Sequence, residues 1–124
     1  MSAGKILIID DDEGIREFLK MFFEDREYDV QTAFDGEDGV AKFLEGTYDL
    51  VMCDMLMPRM IGIQALKKIK EIKPDQKVIM MTGVKEESMS AAAKALGCLL
   101  YLTKPVKLAE LEARIAECFG EAAS

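Results

Sequence analysis

Lys5-Ile6-Leu7-Ile8-Ile9-Asp10-Asp11-Asp12 is an unbroken aliphatic run that stops against three acids. A strand with one wet face alternates in polarity. An unbroken run fits a strand buried on both faces, as in a parallel sheet covered by helices. The apolar residues that follow, Ile15, Phe18, Leu19, Phe22 and Phe23, fall at helical spacing and define one stripe of a helix.

The same strand-then-helix unit recurs along the chain. Tyr28 to Ala33 reads as a weaker, alternating strand, Asp35-Gly36 as a turn, and Val40, Phe43 and Leu44 as a short helix ending near Gly46. Asp49-Leu50-Val51-Met52-Cys53 is a third strand, running into Asp54. Pro58 and Gly62 break the loop behind it, and Ile63, Leu66, Ile69 and Lys70 carry a helix up to Pro74. Lys77-Val78-Ile79-Met80-Met81 is a fourth strand, ending at Thr82-Gly83. Met89, Ala92, Ala93 and Leu96 stripe a fourth helix, with Gly97 placed as its C-terminal cap. Cys98 to Leu102 is a fifth strand, ending at Thr103-Lys104-Pro105, and Leu108, Leu111, Ile115 and Phe119 stripe a last helix. Five such units with right-handed crossovers predict an α/β fold: a doubly wound parallel sheet in a three-layer α/β/α sandwich. The 124 residues suit one domain spanning 1–124.

Composition narrows the chemistry. A net charge of -7 argues against direct nucleic-acid binding. The chain has no His, so the commonest general base and transition-metal ligand are missing. Cys53, Cys98 and Cys118 are odd in number and widely spaced, as befits small core residues rather than a disulfide framework. No signal peptide or membrane-length apolar run is visible, and a cytoplasmic location is expected.

Ligands of an open parallel sheet bind beyond the carboxyl ends of its strands. The first strand delivers Asp10, Asp11 and Asp12 there, the third Asp54, the fourth Thr82 and the fifth Lys104. Asp12 is well placed merely to cap the helix that begins near Glu13. Asp10, Asp11 and Asp54 are harder to explain as caps. Carboxylates brought together repel unless a cation neutralises them, and Mg²⁺ suits a few carboxylates plus water. Such a site favours phosphoryl chemistry, with Lys104 neutralising phosphoryl oxygens and Thr82 donating a hydrogen bond.

The ordered set Ile6-Leu7-Ile8-Ile9-Asp10-Asp11-Asp12, Asp54 with Met57-Pro58 behind it, Thr82, and Tyr101-Leu102-Thr103-Lys104-Pro105 resembles the receiver domain of two-component response regulators, over essentially the whole chain. The resemblance implies a flavodoxin-like strand order, 2-1-3-4-5. It implies that Asp54 is the phosphoacceptor, that Asp11 binds Mg²⁺ directly and Asp10 partly through water, and that the main-chain carbonyl of Leu56 is a further ligand. Lys104 would pair with the phosphoryl group, and Thr82 and Tyr101 would act as the switch pair. The surface of the fourth helix, fifth strand and fifth helix would then change shape toward an effector. That surface serves some family members for homodimerisation. The donor would be a histidine kinase or a histidine phosphotransfer protein of a bacterial phosphorelay. The chain would support its own phosphoryl transfer and slow autodephosphorylation rather than turn over a substrate. A cis Lys104–Pro105 bond is expected.

Some positions depart from the family pattern. Ile61 stands before Gly62 where an acid is usual, which removes a side-chain cap from the third helix. Leu99 and Leu100 precede Tyr101 where small or acidic residues are usual. Leu56 and Val84 occupy the two positions that tune acyl-phosphate hydrolysis. Both are apolar and unable to orient a water, so a long-lived phosphoryl state is expected. Three other readings compete. A haloacid-dehalogenase-like phosphohydrolase would use Asp10 and Asp12, but no later strand ends in the acid it needs. A flavodoxin-like cofactor domain would need a phosphate-cradling first loop, not four acids. A degenerate receiver acting as an interaction module has the intact set Asp10, Asp11, Asp54, Thr82 and Lys104 against it.

Overall fold

Runs such as Ile6–Ile9 and Val78–Met81 have no polar face to offer water, so they belong at the centre of a sheet covered on both sides. A computed structural model describes residues 3–57, 60–83 and 87–118, without the side chains of 87–89 and 118. Its elements in chain order are β1 (Lys5–Ile9), α1 (Glu13–Glu24), β2 (Asp29–Ala33), α2 (Gly36–Glu45), β3 (Leu50–Asp54), α3 (Gly62–Ile72), β4 (Val78–Thr82), α4 (Glu87–Ala95), β5 (Leu100–Thr103) and α5 (Leu108–Cys118). The sheet runs β2-β1-β3-β4-β5 with every neighbouring pair parallel. This is the doubly wound order expected, and helices lie on both faces.

Strand alternation divides the core in two. Leu7, Ile9, Val51, Cys53, Val78 and Met80 face Phe43, Leu66, Ile69 and Ala93 of α2, α3 and α4. Ile6, Ile8, Met52, Ile79 and Met81 face Leu19, Phe22, Phe23, Leu111 and Ile115 of α1 and α5. Burying a side chain of this size contributes about 1.5–3 kcal/mol, so the paired layers hold the strand tips in fixed register. The Arg26–Glu112 ion pair joins the end of α1 to α5, and the Arg26 guanidinium lies 3.8 Å over the Phe22 ring.

Several details differ from the sequence expectations. Asp54 is the last residue of β3 rather than the first residue beyond it, and β5 starts at Leu100 rather than Cys98. Phe18, Leu44, Leu108 and Ala92 fall on the predicted helical stripes yet are exposed. Periodicity marks a helix face; the width of the sheet below decides how much of that face is covered. Asp35 is a helix cap rather than a simple turn residue. It accepts the Asp38 N–H at 2.8 Å, and α2 starts at Gly36. Asp12 caps α1 by accepting the Ile15 N–H at 3.2 Å, as its place before Glu13 predicts. Gly97 follows α4 with φ +93°, a conformation suited to glycine. The Lys104–Pro105 peptide is cis. Cys53 is buried and Cys98 half-buried. Pro58, Val84 and Phe119, and the side chains of Met89 and Cys118, lie outside the described residues.

The entry to α3 is built closely onto β3. Gly62 donates its N–H to the Met55 carbonyl at 2.8 Å, and a Cβ on Gly62 would stand 2.3 Å from the Asp54 carbonyl oxygen. Only a residue without a side chain permits that approach. Ile61, at the N-cap, has no side-chain acceptor to offer. Gln64 supplies half of a capping box instead, its Oε1 accepting the Ile61 N–H at 3.2 Å.

Candidate functional site

Parallel strands all end on one edge, so the side chains at their tips converge there whatever their separation in sequence. Asp10 follows β1, Asp54 closes β3, Thr82 closes β4, and Lys104 follows β5. Carboxylate oxygens of Asp10, Asp11 and Asp54 lie within 4.8 Å of one another. Asp10 is fully buried and Asp54 nearly so, while Asp11 is exposed. The Lys104 ammonium bridges the two buried acids, 2.8 Å from Asp10 Oδ2 and 2.8 Å from Asp54 Oδ1. Asp10 Oδ1 accepts the Asp12 N–H at 2.9 Å, which folds the β1–α1 loop onto the site.

The electrostatics follow from this arrangement. Burial raises the Asp54 carboxyl to about 6; the Lys104 hydrogen bond opposes the rise, and the charges of Asp10 and Asp11 add to it. For Lys104, burial alone would disfavour the charged form, but its bonds to Asp10 and Asp54 outweigh this and hold its pKa above the usual value. Burial, with the charges of Asp54 and Asp10 behind it, pushes the Cys53 thiol upward, so this cysteine is an inert core residue.

Three carboxylates against one ammonium leave two uncompensated negative charges, which one divalent cation would balance. The donors are all hard oxygens, and after burial the charges of Asp10 and Asp11 add to the rise of the Asp54 carboxyl. The residues therefore fit Mg²⁺.

Thr82 is buried beside this group, and its carbonyl accepts the Lys104 N–H at 2.6 Å. Tyr101 is half-buried against the core layer of α2, α3 and α4, its hydroxyl buried without a hydrogen-bond partner among the described residues. Leu56 is exposed just past Asp54. The predicted site residues Asp10, Asp11, Asp54 and Lys104 thus come together, with Thr82 alongside and Tyr101 one strand away. Arg16 was not singled out by the sequence. Its Nη1 donates to the Asp10 carbonyl at 2.8 Å. A cation four residues beyond the acid triplet was the available signal. An open apolar cleft of about 510 Å³ adjoins Lys104, lined by Gly14, Ile15, Phe18, Leu19, Met81, Pro105 and Val106, which accounts for the exposure of Phe18.

Fold and site together define a receiver. The chain belongs to the response regulator receiver domain family, whose model matches residues 6–116. Among similar proteins is the transcriptional regulatory protein DltR of Streptococcus agalactiae, 34% identical over 111 residues, 90% of this chain and 50% of that protein. The chain spans about half the length of the curated relatives it matches. A CheY-like receiver domain protein from Methanospirillum hungatei superposes with a TM-score of 0.92 at 32% identity, covering 98% of each chain. A chain of the CheX-CheY-BeF3-Mg complex of Borrelia burgdorferi superposes with a TM-score of 0.88 at 29% identity, covering 93% of this chain and 88% of that one. Among the described residues no helix is long and apolar enough to cross a membrane.

Proposed function

We propose that this chain, residues 1–124 taken as one receiver domain, is a phosphorylation-dependent signalling switch that takes a phosphoryl group onto Asp54 from a histidine kinase or a phosphotransfer histidine. The observation that carries the reading is the meeting of Asp10, Asp11 and Asp54 oxygens within 4.8 Å under one shared ammonium. Asp11, Asp54, Asp10 and the Leu56 main-chain carbonyl would hold Mg²⁺. When bound, it supplies charge neutralisation for the phosphoryl oxygens.

In the transfer, an Asp54 carboxylate oxygen attacks phosphorus. The P–N bond to the donor imidazole breaks, and its electron pair returns to that ring. At the pH of the cell a carboxyl titrating near 6 is mostly ionised, as a nucleophile must be. Lys104 stands on Asp54 Oδ1 already and meets the incoming charge without reorganising. Thr82 then donates its hydroxyl to a phosphoryl oxygen, and Tyr101 follows. The surface of α4, β5 and α5 changes for an effector or for a second copy of the chain.

Incubation of the protein with acetyl phosphate and Mg²⁺, followed by mass mapping, tests this. One phosphoryl group on Asp54 is expected, absent from Asp54→Asn and reduced in Asp11→Ala. A label on Asp10 would instead support the phosphohydrolase reading. Leu56 and Val84 carry no group able to orient water, so the acyl phosphate should decay slowly. Leu56→Asn should speed its loss, and an unchanged decay would count against the tuning role.

A further inference from the structure

Asp10 and Asp54 are held in place by bonds to their own side chains, and Asp11 is not. Asp10 is fixed at one carboxylate oxygen by the Asp12 N–H and at the other by Lys104, and its own N–H donates to the Ala33 carbonyl at 3.1 Å. Asp54 is fixed by Lys104. The exposed Asp11 carboxylate has no hydrogen bond among the described residues, so only its backbone fixes where the side chain starts.

That backbone is held from α1. Arg16 Nη1 donates to the Asp10 carbonyl at 2.8 Å, while the Arg16 N–H donates to the Asp12 carbonyl at 3.0 Å. The Asp10 carbonyl belongs to the peptide that joins Asp10 to Asp11. A peptide is planar, so gripping its oxygen fixes the plane and the bond leading to the Asp11 Cα. Resting on the Mg²⁺ reading above, we infer that Arg16 is a positioning residue that aims Asp11 at the cation site through the Asp10–Asp11 peptide.

The charge of Arg16 gives the idea a discriminating sign. If Arg16 were merely a cation near an acidic cluster, removing it would tighten Mg²⁺ binding, because a repulsive charge is gone. If it positions Asp11, removing it weakens binding. Outer-shell partners of metal ligands typically contribute about 10-fold or more in affinity.

The test is titration of the full chain with MgCl2 at fixed ionic strength, following backbone amide shifts of residues 10–13 and 55 by NMR. Arg16→Met keeps an apolar stem for packing and loses the donor. Its dissociation constant should rise about 10-fold, with shifts elsewhere in the sheet unchanged. Arg16→Lys keeps one donor and should recover most of the loss. At saturating Mg²⁺ the Arg16→Met variant should regain the wild-type rate of labelling by acetyl phosphate. Binding as tight as wild type, or tighter, in Arg16→Met would overturn the positioning role, as would equal weakening in Arg16→Lys. Wild-type protein that fails to bind Mg²⁺ would instead overturn the site reading, and the inference with it.

Discussion

Replacing Asp54 by Asn should make the protein more stable, although it removes the proposed phosphoacceptor. Two buried carboxylates share one ammonium at the sheet edge, and burial raises the Asp54 carboxyl from 3.8 to about 6 despite its bond to Lys104. A folded-state pKa above the unfolded value means that the native protein holds the proton longer. The contribution of Asp54 is therefore neutral well below pH 3.8, grows more unfavourable as pH rises from about 4 to about 6, and is constant above that. At ~1.4 kcal/mol per unit the full penalty at pH 8 is ~3 kcal/mol. The side chain is almost wholly buried, so solvent screens little of this. Asn keeps an acceptor for Lys104 and removes the charge. Urea denaturation at pH 8 without Mg²⁺ should show Asp54→Asn more stable by about 2 kcal/mol, a rise of about 8 °C in Tm for a chain of this size. The gap should shrink as pH falls through 6 and nearly vanish at pH 4. Mg²⁺ should narrow it at pH 8 by stabilising the wild type. A variant no more stable at pH 8, or a gap of constant size across this range, would refute the view that unbalanced buried charge is stored at the site.

Other substitutions probe the supports. Lys104→Met leaves two buried acids without a counter-charge, and chemical denaturation at pH 7 should show a loss of about 3 kcal/mol. Gly62→Ala forces a Cβ against the Asp54 carbonyl, where no flexible side chain can yield. It should cost about 1–3 kcal/mol and slow phosphorylation, with melting and labelling rates as the readouts. Ile61→Asp supplies the missing acceptor at the start of α3 and should add about 1 kcal/mol in thermal melts.

The sheet was readable because its strands obey a strong rule. Ile6–Ile9 and Val78–Met81 are apolar throughout, and their short length between turns, with the β-branched residues they carry, favours a buried strand over a buried helix. The site was readable for a related reason: once the strands are parallel, Asp10, Asp54, Thr82 and Lys104 have only one edge to share. What escaped the sequence depends on distances between elements. Phe18 and Leu44 carry the helical period, but their exposure depends on where the sheet ends. The grip of Arg16 on Asp10 links a side chain to a carbonyl six residues back, and no periodicity encodes such a bond. Gln64 capping Ile61 was missed because the cap was sought at the N-cap residue itself.

The bond from Gly62 to Met55 acts as a clasp. It pins both ends of the segment running from Asp54 to the third helix, much as a hairpin closes its own base. Leu56 sits inside the clasp at its Asp54 end, whereas Ile61 sits at its far end, at the start of α3. Substitutions at that far end can alter what the rim presents to other molecules while the Gly62–Met55 bond keeps the backbone beside Asp54 in place.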